Sequence, residues 1–258
     1  MRETVMPLAG TEQGRAQLSI GAGGDRTMEL DRAAEAAVFA ELESLAQGGE
    51  RFAVLSEEVG HRRFGADYPL VLVDPVDGSL NAKQGVPLFG VMLALLDGPT
   101  VDDTVAGCVV NLINGETWTA IRGQGARRRG APLEVIPRTD DDRLELVALE
   151  STPRALKLAS GLTQRAGKIR ILGSMALAIA HTAAGSFDAF CAPLPVRLFD
   201  MAASLLILRE AGGAATDLQG NPLGSVACTL ETRTTLVCAP SRELHATALR
   251  ALAAPDRD

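Results

Sequence analysis

The chain has 258 residues, 47% of them hydrophobic and 22% charged, a composition that supports a folded core and excludes wholesale disorder. Lys and Arg number 25 against 32 Asp and Glu, and the net charge of −7 argues against a nucleic-acid partner. No run approaches the roughly 20 apolar residues of a membrane span, and Met1–Ser19, with no long apolar core, is not expected to be a signal peptide. The four cysteines (Cys108, Cys191, Cys228 and Cys238) then read as free buried thiols of a cytoplasmic protein.

Met1–Asp25 has little pattern, and Gly21, Gly23 and Gly24 make its end a loop. Glu29–Ala46 is predicted to be a helix, with Leu30, Ala34, Ala37, Val38, Leu42 and Leu45 on one apolar stripe. Phe52–Leu55 reads as a short strand, His61–Tyr68 as a polar loop, and Leu70–Val73 as a strand that empties into Asp74-Pro75-Val76-Asp77-Gly78. Leu88–Leu96, Val105–Leu112 and Glu116–Ile121 follow as strands, with Asn114-Gly115 as a hairpin turn. Arg127-Arg128-Arg129 is expected to be a solvated turn. Asp140-Asp141-Asp142 is the expected boundary between an N-terminal lobe, residues 1–138, and a C-terminal lobe, residues 139–258, together forming one composite catalytic unit. The second lobe alternates. Strands are expected at Leu144–Leu149, Ile169–Ile171, Phe187–Phe190 and Thr235–Ala239, and helices at Pro153–Ala166, Met175–Ala184, Phe199–Ala211 and Ser241–Ala253.

The carboxylates carry the chemistry. Asp74 ends an apolar strand and Asp77 follows three residues on; burying both without compensation is costly, and a divalent cation with oxygen ligands supplies it. Gly78 permits a tight approach, and the amides of Gly78 and Ser79 are placed to face a phosphate. An Asx-rich turn capping a helix is the competing account of the same residues. Glu57-Glu58 follows a strand, and Asp200 starts an apolar helix, where an Asp also serves as an ordinary cap. His61, His181 and His245 are scattered, and His181 is expected to be structural.

Three ordered motifs resemble the signatures of the inositol monophosphatase family: Glu57-Glu58, Asp74-Pro75-Val76-Asp77-Gly78-Ser79-Leu80-Asn81, and Phe199-Asp200-Met201-Ala202-Ala203 running to Glu210-Ala211-Gly212-Gly213. Asn81-Ala82-Lys83 and Gly85-Val86-Pro87 are more similar to archaeal-type members that act on both fructose 1,6-bisphosphate and inositol phosphates. The resemblance implies a layered α-β-α-β-α sandwich, the sugar phosphatase fold, as a homodimer, and a Mg²⁺-dependent phosphomonoesterase with two or three ions per site, Mn²⁺ substituting. It places one ion on Glu57, Asp74 and the Val76 carbonyl and a second on Asp74, Asp77 and Asp200, with Glu57 helping a weaker third through water. Asp31 and Ser79 would orient and deprotonate the attacking water; Ser79 stands where the family usually has Thr, and Met28 where the family's Thr-x-x-Asp element has its Thr. The family's first full helix has little room before this element, so it is shortened, replaced by extended chain, or lost to a misassigned start.

Substrate choice is less legible. Inositol-preferring relatives carry a Glu seven residues before the second-lobe ligand; here that position is Pro193, and the segment Cys191–Leu198 offers Arg197 instead. Arg197 suits a second phosphate or an ion pair at the surface or a dimer interface. Ser174 is expected to line the sugar pocket. These residues favour fructose 1,6-bisphosphate over inositol 1-phosphate as the small-molecule substrate. A 3′(2′),5′-bisphosphate nucleotidase and a catalytically silent structural or regulatory member are the alternatives.

Overall fold

A computed structural model describes residues 1–24, 26–135, 143–150 and 152–254. The expected lobe boundary at Asp140–Asp142 lies outside them. The chain opens with a short helix α1 (Arg2–Val5) and a two-stranded hairpin, β1 (Gln17–Ile20) with β2 (Arg26–Met28), followed by the long helix α2 (Glu29–Gln47). The seven-stranded sheet holds β3 (Phe52–Ser56), β4 (Gly60–Asp77), β5 (Gly90–Leu96), β6 (Thr104–Asn111), β7 (Thr117–Ile121), β8 (Ala126–Arg128) and β9 (Ala131–Pro132) in sequence order. The short helix α3 (Ser79–Gln84) interrupts it after β4.

The second half contributes β10 (Leu144–Leu149), α4 (Pro153–Leu158), α5 (Ser160–Arg165), β11 (Ala166–Arg170), α6 (Met175–Ala183), β12 (Ala189–Arg197), α7 (Ala202–Glu210), β13 (Ala214–Thr216), β14 (Arg233–Ala239) and α8 (Arg242–Ala253). Its five strands are ordered β11-β10-β12-β14-β13. Helices α6 and α7 lie between the two sheets and touch strands of both. Outside them, α2 covers the first sheet and α4, α5 and α8 the second, which gives the layered α-β-α-β-α sandwich. The central layer explains its own sequence: every residue of α7 from Ala202 to Leu208 is buried, as a helix apolar all round must be.

Three departures from the expected elements have physical causes. His61–Tyr68 is not a loop. Residues 60–65 pair antiparallel with β3 on one side, while residues 70–73 pair parallel with it on the other, so β3 is flanked twice by β4. An edge strand tolerates polar residues, and Arg62 stacks over Phe39 and Phe64 and meets Glu43 at 2.7 Å. The strand at Phe187–Phe190 instead runs from Ala189 to Arg197 through Pro193 and Pro195, which fall where the register breaks between Ala192 and Val196 and no ladder N–H is needed. The helix expected over Pro153–Ala166 splits into α4 and α5 at the poor helix formers Ser160-Gly161, and Gly161 lies against the Ala251 carbonyl of α8.

The N-terminal segment holds the four-residue helix α1, pinned where Arg2 donates to the carbonyls of Leu112 (2.8 Å) and Ile113 (2.7 Å). Beside it an apolar cavity of about 660 Å³ remains between α2 and β5–β7, lined by Val38, Leu42, Val91, Leu93, Cys108 and Ile121. The four cysteines are free, and three are buried. His181 packs edge-on to Trp118, with ring centroids 5.0 Å apart. No described helix is long and apolar enough to cross a membrane.

Candidate active site

The site forms where three chain segments end together. Ser56 pairs in parallel with Val73, so the next residues, Glu57 and Asp74, emerge side by side from adjacent strands. Pro75 cannot donate to the ladder, and the pairing of β4 with β5 breaks between Asp74 and Asp77. Asp200 arrives from the opposite sheet on the single 3₁₀ turn Phe199–Met201 that precedes α7. One carboxylate oxygen each from Glu57, Asp74 and Asp200 lies within 4.8 Å of the others. Glu57 is 9%, Asp74 4% and Asp200 7% exposed, so water screens little of their repulsion.

Electrostatics record the crowding. Burial, then the charges of Glu57, Asp200 and Asp77, hold the Asp74 carboxyl well above its usual range. Burial and Asp200 push Glu57 up to about 8 against the pull of Arg197. Arg197 is the cation of the cluster: its Nε donates to Asp200 Oδ2 at 3.0 Å and its Nη2 to Glu57 Oε1. It is therefore neither turned toward open space nor a surface pair, with a side chain only 13% exposed.

Asp77 lies outside the three-acid cluster. Its Oδ1 accepts from Met175 N at 2.9 Å, and its Oδ2 from Ala176 N at 3.0 Å and from the Ser174 hydroxyl. The carboxylate thus caps the N-terminus of α6, where a negative charge is favoured. Burial still raises it to about 6, offset by these hydrogen bonds. Ser174 is 1% exposed and bridges Asp77 to Leu177 N, so its hydroxyl is spent on this cap and not on an open pocket. The tight geometry depends on Gly78, at φ 94°, where an added Cβ would sit 3.0 Å from the Gly173 carbonyl. The Val76 carbonyl accepts from Ser79 Oγ at 2.8 Å, and Val76 N donates to Asp74 Oδ1 at 3.1 Å.

Asp31 stands at the third position of α2. Its Oδ2 accepts from Met28 N at 2.9 Å, a helix cap that the missing Thr hydroxyl does not disturb. Its buried Oδ1 has no hydrogen-bond partner among the described residues. Burial raises Asp31 to about 6, with Met28 N and the Ser79 hydroxyl pulling down and Glu58 pushing up.

Two supporting groups were not anticipated. Glu35 accepts from the Ser56 hydroxyl and from Val59 N at 3.1 Å, fixing the turn that carries Glu57 and Glu58. The signal was present, since Asp31 and Glu35 are four residues apart on one face of α2. Gly23 closes over the cluster: its N–H donates to the Glu57 carbonyl at 2.7 Å, and its carbonyl accepts from Arg197 Nη1 at 3.4 Å.

Three buried carboxylates crowd around the Arg197 guanidinium, and every donor they offer is a hard oxygen. That set fits a divalent cation of the magnesium or manganese kind, which Glu57, Asp74 and Asp200 would hold.

Known proteins agree. The sequence model of the inositol monophosphatase family matches residues 8–255. A fructose-1,6-bisphosphatase/inositol-1-monophosphatase of Methanothermobacter thermautotrophicus is 34% identical over 256 residues, covering 95% of this chain and 90% of that protein. One of the same description from Thermococcus kodakarensis is 31% identical, covering 98% and 93%. A solved structure from Pyrococcus horikoshii, described as similar to inositol-1 monophosphatase, superposes with a TM-score of 0.80 at 27% identity, covering 96% of this chain and 92% of that one. Matched along nearly its whole length and carrying a carboxylate cluster fit for divalent metal, the chain belongs to the inositol monophosphatase family and is an enzyme, a metal-dependent phosphatase.

Proposed function

We propose that the protein hydrolyses small sugar or polyol phosphates, fructose 1,6-bisphosphate ahead of inositol 1-phosphate, with Mg²⁺ as cofactor and in the cytoplasm. The observation that carries the reading is the convergence of Glu57, Asp74 and Asp200 within 4.8 Å. The two archaeal relatives named for both activities support the substrate class.

In this reading Glu57, Asp74 and Asp200 would hold the metal, with the Val76 carbonyl and Asp77 as further oxygen donors. Bound divalent metal neutralises the phosphate and acidifies water. Asp31 is the general base. Its Oδ1 is an unfilled acceptor, and a carboxyl held near 6 takes a proton at neutral pH more readily than an ordinary aspartate. Ser79 orients the same water, while the amides of Gly78 and Ser79 face the phosphate oxygens. Ser174 acts through Asp77, which it holds in place. Arg197 is available to a second phosphate only after it leaves Glu57 and Asp200.

A panel of esters assayed with Mg²⁺ and then Mn²⁺ tests this. Fructose 1,6-bisphosphate and inositol 1-phosphate should be turned over, the former with the higher kcat/KM. Higher kcat/KM for inositol 1-phosphate would reverse the order. Preferential turnover of 3′-phosphoadenosine 5′-phosphate would replace the substrate class, and no phosphate release from any ester would favour a silent regulatory member.

A further inference from the structure

Arg197 ends β12 with its guanidinium laid across two of the three acids, Asp200 through Nε at 3.0 Å and Glu57 through Nη2. Its Nη1 also donates to the Gly23 carbonyl at 3.4 Å. The loop lies directly on it: a Cβ added at Gly23 would stand 2.6 Å from Nη1. The fork is always charged and donates to one oxygen of each of two carboxylates, so it occupies lone pairs that a divalent ion needs. Without metal it relieves part of the repulsion among the acids; with metal it adds a positive charge beside another.

We propose that Arg197 is the resident cation of the site: it competes with divalent metal for Glu57 and Asp200 and leaves them as metal loads, releasing its hold on the Gly23 loop. A guanidinium so freed stands at the rim of the site as a contact for an anionic group of the substrate. This deepens the phosphatase reading and rests on it for the presence of metal.

The test is metal binding without substrate. Calorimetric titration of Mg²⁺ and Mn²⁺ into the full chain should give binding about tenfold tighter in Arg197→Gln than in wild type, a typical coupling between competing ligands. Arg197→Lys, charged but without the fork, should fall between them. Arg250→Gln, on α8, controls for net charge and should bind as wild type does. Equal or weaker binding in Arg197→Gln overturns the proposal. If that variant does not fold without metal, the wild type decides. Its Arg197 Nε–H resonance, identified by its loss in Arg197→Lys, should shift or broaden as Mg²⁺ is added, and one unmoved at saturation overturns the proposal. A wild type that binds metal and hydrolyses esters while both readouts stay flat defeats the resident cation alone. A wild type that does neither defeats the phosphatase reading as well.

Discussion

Two groups of buried acids beside the seven-stranded sheet are built on opposite principles. Glu116, 5% exposed at the start of β7, meets Arg128 Nε at 2.8 Å and Arg129 Nε at 2.9 Å. Burial works to raise its pKa, but the Arg128 hydrogen bond and the charges of both arginines outweigh it and leave the carboxyl below its ordinary range. Glu57, Asp74 and Asp200 share the single Arg197 and are crowded, and Glu57 and Asp74 stand above theirs. One site is satisfied within the chain; the other offers a set of carboxylate oxygens that fits a divalent cation. A buried acid thus points to a ligand where several carboxylates crowd together and their pKa values rise, and not where arginines pull one down.

The sharpest way to break this contrast is Asp74→Asn. Removing the most crowded carboxylate should cut kcat by about three orders of magnitude, about 4 kcal/mol of transition-state stabilisation. The same change should raise the melting temperature of the metal-free protein, because it deletes a repulsive buried charge. A variant that keeps wild-type turnover would show that the cluster is not the catalytic metal site. Asp31→Asn should follow with a loss of about 100-fold in kcat and little change in KM, as expected on losing a general base. Because the amide can still accept from Met28 N, the helix cap survives, and far-UV circular dichroism should be unchanged.

The two sites also answer pH in opposite directions. Glu57 moves from 4.5 to about 8 on folding, so the native chain holds more protons than the unfolded one between those values. Stability of the metal-free protein should therefore fall as pH rises through this window. Metal competes with those protons, so the gain from saturating Mg²⁺ should grow across the same window, reaching roughly 5–10 °C at 100 times Kd. Chelator-treated and Mg²⁺-loaded melting curves from pH 5 to 8 measure it. A constant gap would mean that proton and metal do not share the site.

Much of this was legible in the sequence because it is local. Leu70–Val73 running into Asp74 marked a strand end carrying charge, and Pro75 and Gly78 marked the break and the turn. The start of the last helix at Ser241 was readable for the same reason, and there the Ser241 Oγ accepts from Leu244 N at 3.2 Å. What was not legible depended on partners far apart in the chain. The commitment of Asp77 and Ser174 to one another spans 97 residues, and the grip of Arg197 on Glu57 spans 140. Arg127-Arg128-Arg129 looked like a solvated turn because the partner of Arg128 and Arg129 lies a strand away. Arg128 in addition stacks over Trp118 at 5.5 Å.

That last site gives the smallest and most discriminating expectation. Glu116→Gln keeps the shape of the side chain but leaves two arginines facing a neutral amide. The loss should be about 2 kcal/mol, in the range for a broken charge-assisted pair, and the melting temperature should drop by roughly 4–8 °C. Its pH signature inverts that of Glu57: a carboxyl lowered by its partners contributes above its unfolded pKa and loses that contribution as pH falls through the folded one. The difference between wild type and variant should thus be full at pH 7 and shrink in acid. Turnover and metal affinity should not move, since Glu116 pairs with Arg128 and Arg129 and accepts no bond from the acid cluster among the described residues. A shift in metal affinity on changing Glu116 would mean that the two ends of the sheet are electrostatically one site, and the division drawn between a self-compensated acid and a metal-seeking cluster would fail.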